Sequence, residues 1–545
     1  MLTIIKKNWI LLLIIALAFF LRIYQLDKVP LGLSENEAAI GYNAYSIIKT
    51  GRDEEGKFLP ITFRSFGDYK LPIPIYLTGI SIKINDLSTF SIRIVAALVG
   101  VFSVWLLYVL AQKLFNQPSA LTASFLLAIS PWHVQLSRSN TPITLAICLL
   151  LFEIIILIIK EDSKRKWWLL LAIQILLLLT HPSMWVVSVP IALIALIRHQ
   201  TKNKASNRFF LITLILAIGL VGYLTKNTIK SYYFDQAFYG EIGFSNRIDQ
   251  LQGYVRNYTH SNVSARLFQN KIVVFVDQTT KNYLRDFDFY NLFSSNDTHE
   301  RYFANAFGKL YSIELIGFFI GCYFIIKKTK PNANYLWAIL FLSPLPGITN
   351  ITQQLGSTFF VSMIPFYLLT AYGFSQLLTK WSSNIIVKLI IVFSLLLLIT
   401  SATTFFHYYF VHYPIQALAD WDYGYQQVNK IATQESGKYD HLVISDALAT
   451  KPYIYTLFYE KIDPHQYQQM TKQRGGSIFI STSSFGKYEY RSIDEKKDSS
   501  LDHTLLIDYD PGKSAYCSVN QLLCLRLKQT ITLPDGTTSF KIIGS

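Results

Sequence analysis

Acidic, basic and phenolic side chains are concentrated in residues 34–72, a polar stretch that follows the first strongly apolar segment. Carboxylates can accept a proton as general bases, whereas ammonium and guanidinium groups can bind phosphate. The candidate bases are Glu35, Glu37 and Asp68. The candidate phosphate ligands in the same stretch are Arg64 and Lys70. The mixture predicts a reactive loop in a membrane protein.

A predicted helix positions two of these acids. Ser34 and Glu37 have the spacing of a capping box, apolar residues recur near the helical period over 38–48, and Gly51 is a plausible stop. A short amphipathic helix beside a membrane would hold its N-terminal carboxylates at a fixed depth and direction, as a catalytic base requires. The alternative is that Glu37 only closes the capping box and the rest is a solvated loop.

The composition indicates a polytopic membrane protein. The chain has 545 residues, of which 51% are hydrophobic, and a net charge of +15. Nucleic-acid binding is rejected, because the basic residues lie in short loops between apolar runs, as the positive-inside rule expects. Run length predicts about 11 transmembrane helices. They lie near 8–24, 90–112, 119–135, 139–160, 166–180, 184–199, 208–225, 311–327, 335–348, 356–378 and 384–409.

The charge bias also predicts the orientation. Lys113, the basic run 160–166 and the residues around 198–208 fall on one side, which is then cytoplasmic together with the N-terminus. The first segment lacks a small-residue cleavage site and is interpreted as a retained anchor. We therefore predict a transmembrane domain over 1–409, with external loops 25–89 and 226–310. Residues 410–545 are predicted to form a small extracytoplasmic α/β domain, since HLVIS, SIFIST and TLLIDY are typical of strands.

Several motifs resemble glycosyltransferase family 39 of bacteria. They are residues 32–77 from GLSENEAAIGYNAYSIIKTG to KLPIPIYL, together with SIRIVAALVG, SPWHVQLSR, NYLRDFDFYNLF, GYQQVNKI and PYIYTLFYEKIDPHQYQ. That family is similar to the protein O-mannosyltransferases and the aminoarabinose transferases, which share the C-type glycosyltransferase fold. The resemblance implies a cell-envelope enzyme that uses a polyprenyl-phosphate sugar, inverts the anomeric carbon and glycosylates a protein, lipid or glycan on the extracytoplasmic face.

The resemblance also implies an Asp-Glu-Ala motif, but this chain has Asn36-Glu37-Ala38. An amide cannot act as a general base near neutral pH. Three alternatives follow: Glu35 or Glu37 takes the role from a neighbouring position, Asp68 takes it, or the chain is inactive or altered in its chemistry. We favour Glu37 with Asp68 as its partner.

The Lys-Pro-Pro-like element of the family corresponds to Lys70-Leu71-Pro72, which makes Lys70 the first choice for the donor phosphate. Arg138 matches the Ser-Arg of an outer turn, and Arg64 and Arg93 are further candidates. Arg93 could instead snorkel to lipid headgroups. Tyr69 and His181 are included as other site residues, although a histidine at a span end more often bonds to a neighbouring helix end.

The remaining features are less specific. Asp53, Glu54 and Glu55 could bind a divalent cation, but a solvated acidic turn is the preferred interpretation. No cluster has zinc spacing and no loop has a nucleotide motif. Cys148 and Cys322 are expected to be packing residues, whereas Cys517 and Cys524 could form a disulfide if the tail is extracytoplasmic. The segment 342–358 interrupts two spans and lacks the basic residue that the family carries there.

Two other functional classes stay open. A flippase or transporter of lipid-linked sugars would need ionisable residues inside the spans, and the chain has few, chiefly Glu153 and Glu314. A catalytically silent member that binds or assembles glycans would explain Asn36. The expected partners in every case are membrane lipids, a polyprenyl-phosphate sugar and a glycan, lipid or protein acceptor.

Overall fold

The structure is a computed structural model. It describes residues 2–159, 163–198, 204–232, 244–259, 263, 267–268, 270–294, 301, 304, 307–328, 333–348, 359–379, 385–447, 451–475, 481–498, 500–510 and 526–544. The chain divides into two compact units. The first contains Met1–Tyr24, Ala96–Ser137 and Pro142–Phe406, and the second contains Gln25–Val95, Arg138–Thr141 and His407–Ser545.

Helices make up most of the chain. In order, the described helices are α1 (Leu2–Ile23), α2 (Glu35–Thr50), α3 (Pro72–Asn85), α4 (Thr89–Leu114), α5 (Gln117–Ile129), α6 (Pro131–Ser137), α7 (Pro142–Ile158), α8 (Lys164–Leu178), α9 (Met184–Arg198), α10 (Lys204–Lys230), α11 (Phe244–Thr259), α12 (Lys271–Arg285), α13 (Phe289–Phe293), α14 (Glu314–Lys328), α15 (Ala333–Leu342), α16 (Met363–Leu378), α17 (Ile385–His407), α18 (Tyr413–Gln416), α19 (Gly424–Glu435), α20 (Tyr453–Tyr459), α21 (Pro464–Gln469) and α22 (Glu495–Asp498).

The strands form two sheets. They are β1 (Phe63–Ser65), β2 (Asp68–Lys70), β3 (His441–Ile444), β4 (Lys472–Gly475), β5 (Ser481–Phe485), β6 (Tyr488–Tyr490), β7 (Thr504–Tyr509), β8 (Leu527–Thr532) and β9 (Thr538–Gly544). The strands β1 and β2 form an antiparallel hairpin, and the other seven form one sheet in the order β4-β5-β6-β3-β7-β9-β8. The predicted C-terminal β structure is therefore confirmed.

The first unit is an apolar helical bundle. Within the described residues, three helices are long and apolar enough to cross a membrane, and a fourth span results if the bent pair α6–α7, which turns by 113°, is counted as one. Other apolar helices, among them α5 and α16, have only 10–17 residues. The membrane character is thus present, but the predicted count of about 11 spans is not confirmed. Two predicted packing residues, Cys148 and Cys322, are free thiols in this unit.

Two helices of the first unit pack backbone against backbone. A Cβ atom added to Gly373 on α16 would collide with the carbonyl oxygen of Gly317 on α14, and one added to Gly321 would collide with that of Leu369. Glycine at these positions permits the close approach, as in many membrane helix pairs.

The second unit joins the segment after α1 to the C-terminal sheet. The β3 strand is central and parallel to both β6 and β7, whereas the outer strands pair antiparallel. One apolar core contains Ala39 and Tyr42 of α2, Ile75 of α3, Leu457 of α20 and Leu505 of β7. Residues 25–95 thus share a core with residues 407–545, an association that the sequence analysis did not anticipate.

Candidate active site

The helix α2 begins and ends as its sequence predicts. The Ser34 side chain accepts a hydrogen bond from the Glu37 N–H, the Glu37 carboxylate accepts one from the Ser34 N–H, and Gly51 ends the helix with φ of 70°. Both features are local, because the capping box needs two residues three apart and the C-cap needs a residue that tolerates positive φ. The helix therefore holds Glu35, Asn36 and Glu37 in its first turn.

The carboxylate of Glu37 is 1% exposed and is surrounded by hydrogen-bond donors. It accepts from Arg93 Nε at 3.0 Å and Nη2 at 3.2 Å, and from the Asn140 N–H at 2.9 Å. Together with the Ser34 N–H at 3.2 Å, these donors occupy both oxygens. This buried, charge-assisted arrangement ties the start of α2 to the start of α4 and to the turn 138–141. The capping-box interpretation of Glu37 is therefore observed, and a catalytic role for Glu37 stays a prediction.

Two buried arginines hold the backbone that precedes α2. Arg93 donates to the carbonyl oxygens of Pro30 at 2.9 Å and Gly32 at 2.8 Å, and Arg138 donates to those of Gln25 at 3.0 Å and Val29 at 2.8 Å. Both side chains are 0% exposed, so Arg93 does not snorkel to a surface. Their predicted phosphate binding stays a prediction, while the contacts give them a structural role in fixing residues 25–32.

The β1–β2 hairpin presents two of the remaining candidates on one face. Cross-strand pairs join Ser65 to Asp68 and Arg64 to Tyr69. Side chains alternate across a hairpin, so Asp68 and Lys70 share a face that is opposite to Arg64 and Tyr69. The Lys70 ammonium lies 2.9 Å from Asp68 Oδ2, and the Arg64 guanidinium lies 5.9 Å from the centre of the Tyr69 ring.

Phe66, at the tip of this hairpin, gathers charged groups from distant parts of the chain. The Lys70 ammonium lies 4.5 Å from the centre of its ring, and the Lys451 ammonium lies 4.7 Å from the same centre. Lys451 is in turn 3.9 Å from Glu35 Oε2. The structure therefore brings Lys70 and Lys451 to one aromatic ring, with Asp68 beside the first ammonium and Glu35 beside the second. We call Phe66 and these four residues the Phe66 cluster.

Lys451 is the member that sequence reasoning missed. It directly precedes the PYIYTLFYEK motif, which was the only sequence signal near it. No periodicity relates it to a hairpin that lies far away in the chain.

Asn36, where the resemblance implies a carboxylate, is exposed. Its neighbour Glu35 is half-buried.

A buried hydrogen-bond network contacts the turn of the hairpin. Glu54 is 1% exposed, its Oε2 accepts from Asn43 Nδ2 at 3.1 Å, and its Oε1 accepts from Tyr453 Oη at 3.0 Å. Tyr453 Oη also accepts from the Phe66 N–H at 3.3 Å. Burial, followed by the nearby negative charge of Glu55, raises the pKa of Glu54 to about 8. A carboxyl at this position stays largely protonated at neutral pH.

The acids at 53–55 do not fit a shared cation. Asp53 Oδ1 accepts from the N–H groups of Glu55 and Lys57, Glu54 belongs to the network with Tyr453, and Glu55 pairs with Arg474. The expectation of a solvated acidic turn is wrong for Asp53 and Glu54, since both are buried. Throughout the described residues, no group of three or more His, Cys, Asp or Glu could hold a metal ion.

Three predicted features lie elsewhere. His181 belongs to the first unit, where its Nδ1 accepts from the Ser183 N–H at 3.2 Å and its ring packs edge-on against Tyr232 and Phe360. The interruption after α15 contains a 3-10 turn at Leu345–Gly347, but residues 349–358 lie outside the described residues. Cys517 and Cys524 also lie outside them, so their pairing stays a prediction.

Comparison with known protein families gives a match. Residues 70–224 match the profile of the family described as dolichyl-phosphate-mannose-protein mannosyltransferase. No curated protein matches the sequence. The predicted resemblance to glycosyltransferase family 39 is confirmed by the family match.

Solved membrane glycosyltransferases have a similar fold. The oligosaccharyltransferase AglB of Archaeoglobus fulgidus, solved with an inhibitory peptide and a dolichol-phosphate, gives a TM-score of 0.50 at 12% identity and is matched over 99% of this chain and 75% of that one. The oligosaccharyltransferase of the same organism with Zn and sulfate gives 0.49 at 12% identity, over 97% and 72%. ArnT of Cupriavidus metallidurans bound to undecaprenyl phosphate gives 0.48 at 13% identity, over 98% of both chains. At these identities the likeness concerns the fold alone.

Proposed function

We propose, from the match of residues 70–224 to a mannosyltransferase family, that this protein is a membrane glycosyltransferase. It moves a sugar from a polyprenyl-phosphate carrier to a glycan, lipid or protein acceptor, with inversion at the anomeric carbon. A mannosyl donor is the first to test, because the matched family is described by it. The observation that carries the proposal is the Phe66 cluster, in which two ammonium groups lie against one ring and a carboxylate lies beside each of them.

The proposed topology puts this cluster outside the cytoplasm. About 11 spans, with the N-terminus cytoplasmic, would place residues 25–89 and the C-terminal α/β domain on the extracytoplasmic side of the cell membrane. The support is the distribution of lysine and arginine between the apolar runs. The common core of residues 25–95 and 407–545 is consistent with this, since both segments must then lie on the same side.

The proposed reaction is a single displacement. A carboxylate removes the proton of the acceptor hydroxyl, the acceptor oxygen forms a bond to the anomeric carbon, and the bond from that carbon to the phosphate oxygen breaks. The electron pair of that bond remains on the departing polyprenyl phosphate, which Lys70 stabilises.

The contacts favour Asp68 or Glu35 as the base. Their side chains are 31% and 16% exposed, whereas that of Glu37 is 1% exposed and holds Arg93. A base must reach the acceptor proton directly or through one water. We therefore propose Glu37, Arg93 and Arg138 as positioning residues.

The test is transfer by the purified protein in lipid nanodiscs, with a radiolabelled polyprenyl-phosphate mannose and an extract of envelope acceptors. Asp68→Asn, Glu35→Gln and Lys70→Met are compared with Asp86→Asn, whose exposed carboxylate pairs with Lys461 away from the cluster. We expect the Lys70 variant and at least one of the two acid variants to lower transfer by about 100-fold or more. This is the size of a general-base contribution. Transfer that is unchanged in all three cluster variants would refute this site.

One observation favours each of two rival functions. Asn36 stands where the family has a carboxylate and is exposed, which favours a silent glycan-binding member. Glu153 is fully buried within α7 of the apolar unit, which favours a flippase. Binding of the labelled donor without turnover would support the silent member. Movement of the donor across a proteoliposome membrane without transfer would support the flippase.

A further inference from the structure

We infer that Lys451 is a second ligand of the carrier phosphate, and that Lys70 and Lys451 together form a two-ammonium anion site on the ring of Phe66. The inference rests on the proposed function and deepens it, because it adds a residue of the C-terminal domain to the site. The convergence of two cations on one ring carries it.

The backbone of Phe66 is held in an uncommon conformation by a specific contact. Phe66 has φ of 43° and Gly67 has φ of 78°, so both residues of the two-residue hairpin turn are left-handed. That conformation is unfavourable for a bulky side chain and persists only where its surroundings enforce it. Here the Phe66 N–H donates to Tyr453 Oη, which belongs to the helix that begins directly after Lys451 and Pro452. The same segment, 451–453, therefore holds the backbone of Phe66 and supplies the second ammonium.

The two ammonium groups of the pair are largely shielded from solvent. The side chains of Lys70 and Lys451 are only 10% and 19% exposed, so solvent screens each positive charge poorly. The ring attracts each ammonium but does not cancel its charge. The carboxylates lie beside the ammonium groups, at 2.9 Å for Asp68 and 3.9 Å for Glu35.

The charge on the substrate explains why two lysines are useful. The donor is a phosphodiester with one negative charge, whereas the leaving group is a phosphomonoester with about −1.5 to −2 charges at neutral pH. Negative charge therefore builds up on the phosphate as the bond to the sugar breaks. An additional ammonium stabilises the transition state and the product more than the donor, so it raises kcat more than it lowers KM.

The test uses the full-length protein in nanodiscs and two probes, undecaprenyl phosphate and undecaprenol, which differ in the phosphate. The variants are Lys451→Met, Lys451→Arg and the matched control Lys461→Met, whose side chain is 45% exposed and pairs with Asp86. We expect Lys451→Met to weaken binding of undecaprenyl phosphate on the order of tenfold, as for the loss of a hydrogen bond to a charged group. Binding of undecaprenol should not change, and Lys451→Arg should keep most of the phosphate affinity. In turnover, Lys451→Met should lower kcat while KM for the donor changes less.

The outcomes separate this inference from the proposed function. If the wild-type protein binds undecaprenyl phosphate no better than undecaprenol, the two-ammonium site and the proposed function are both refuted. If the wild-type protein discriminates and turns over but Lys451→Met behaves like Lys461→Met, the two-ammonium site alone is overturned. It is also overturned if Lys451→Met lowers the affinity for both probes equally with a lower melting temperature, because that result indicates a structural role.

Discussion

Replacing Glu37 by glutamine separates a structural carboxylate from a catalytic one. The change removes one negative charge and keeps the shape of the side chain. Arg93, which is 0% exposed, then loses the carboxylate with which it pairs. Breaking a buried ion pair by removing one partner typically costs about 3–5 kcal/mol. We expect the lower end, because Arg93 keeps its hydrogen bonds to the carbonyl oxygens of Pro30 and Gly32.

The loss should appear as local opening of the segment that the carboxylate holds. A cost of about 3 kcal/mol corresponds to roughly a 100-fold increase in the opening equilibrium. Amide hydrogen exchange, read by mass spectrometry on peptides covering 25–42, measures that equilibrium directly. Glu35→Gln is the matched control on the same helical turn. Its carboxylate is 16% exposed and lies 3.9 Å from Lys451, so we expect a change below about 1 kcal/mol.

A double variant tests the reason for the loss. Glu37→Gln with Arg93→Met removes both charges, so no unpaired ion remains buried, and its exchange should be slower than that of Glu37→Gln alone. Wild-type exchange in Glu37→Gln, together with complete loss of transfer, would refute the structural account and make Glu37 the base.

Two further predictions concern stability. The folded Glu54 carboxyl keeps its proton up to about pH 8, whereas the unfolded chain ionises near 4.5, so wild-type stability falls as pH rises from about 4.5 to 8. Glu54→Gln cannot titrate and should show a smaller drop in melting temperature from pH 5 to pH 8; an equal drop would show that Glu54 is not the source. Gly373→Ala should cost about 1–3 kcal/mol because its Cβ meets the Gly317 carbonyl oxygen, whereas Gly253→Ala, with open space around it, should not lower the melting temperature.

Local features of the site could be predicted from the sequence, and long-range ones could not. The capping box of Ser34 and Glu37 and the stop at Gly51 were predicted correctly, because each depends on residues within one turn of helix. The environment of Arg93 was not predictable, since a span-end arginine can face lipid, a ligand or a buried acid with the same local sequence. Its partner Glu37 is 56 residues away, and only the tertiary fold brings them together.

The acidic turn 53–55 is a second case in which the burial of a residue depends on partners distant in the sequence. Three consecutive acids normally indicate solvent, but Glu54 is buried because Asn43 and Tyr453 supply hydrogen bonds. Tyr453 belongs to the helix α20, and no sequence pattern relates that helix to a loop near the other end of the chain.

The common core of residues 25–95 and 407–545 has a consequence for biogenesis. The hydrogen bond between Tyr453 and Glu54 joins residues that are 399 positions apart. Such contacts form late, because the intervening chain must be synthesised before the two ends can meet. During insertion, the segment that carries Glu35 and Lys70 therefore cannot complete its core until the last quarter of the polypeptide has been synthesised. Its apolar side chains stay uncovered until then. A nascent chain that stops before residue 407 should expose this segment to proteases and chaperones, however completely its membrane helices have been inserted.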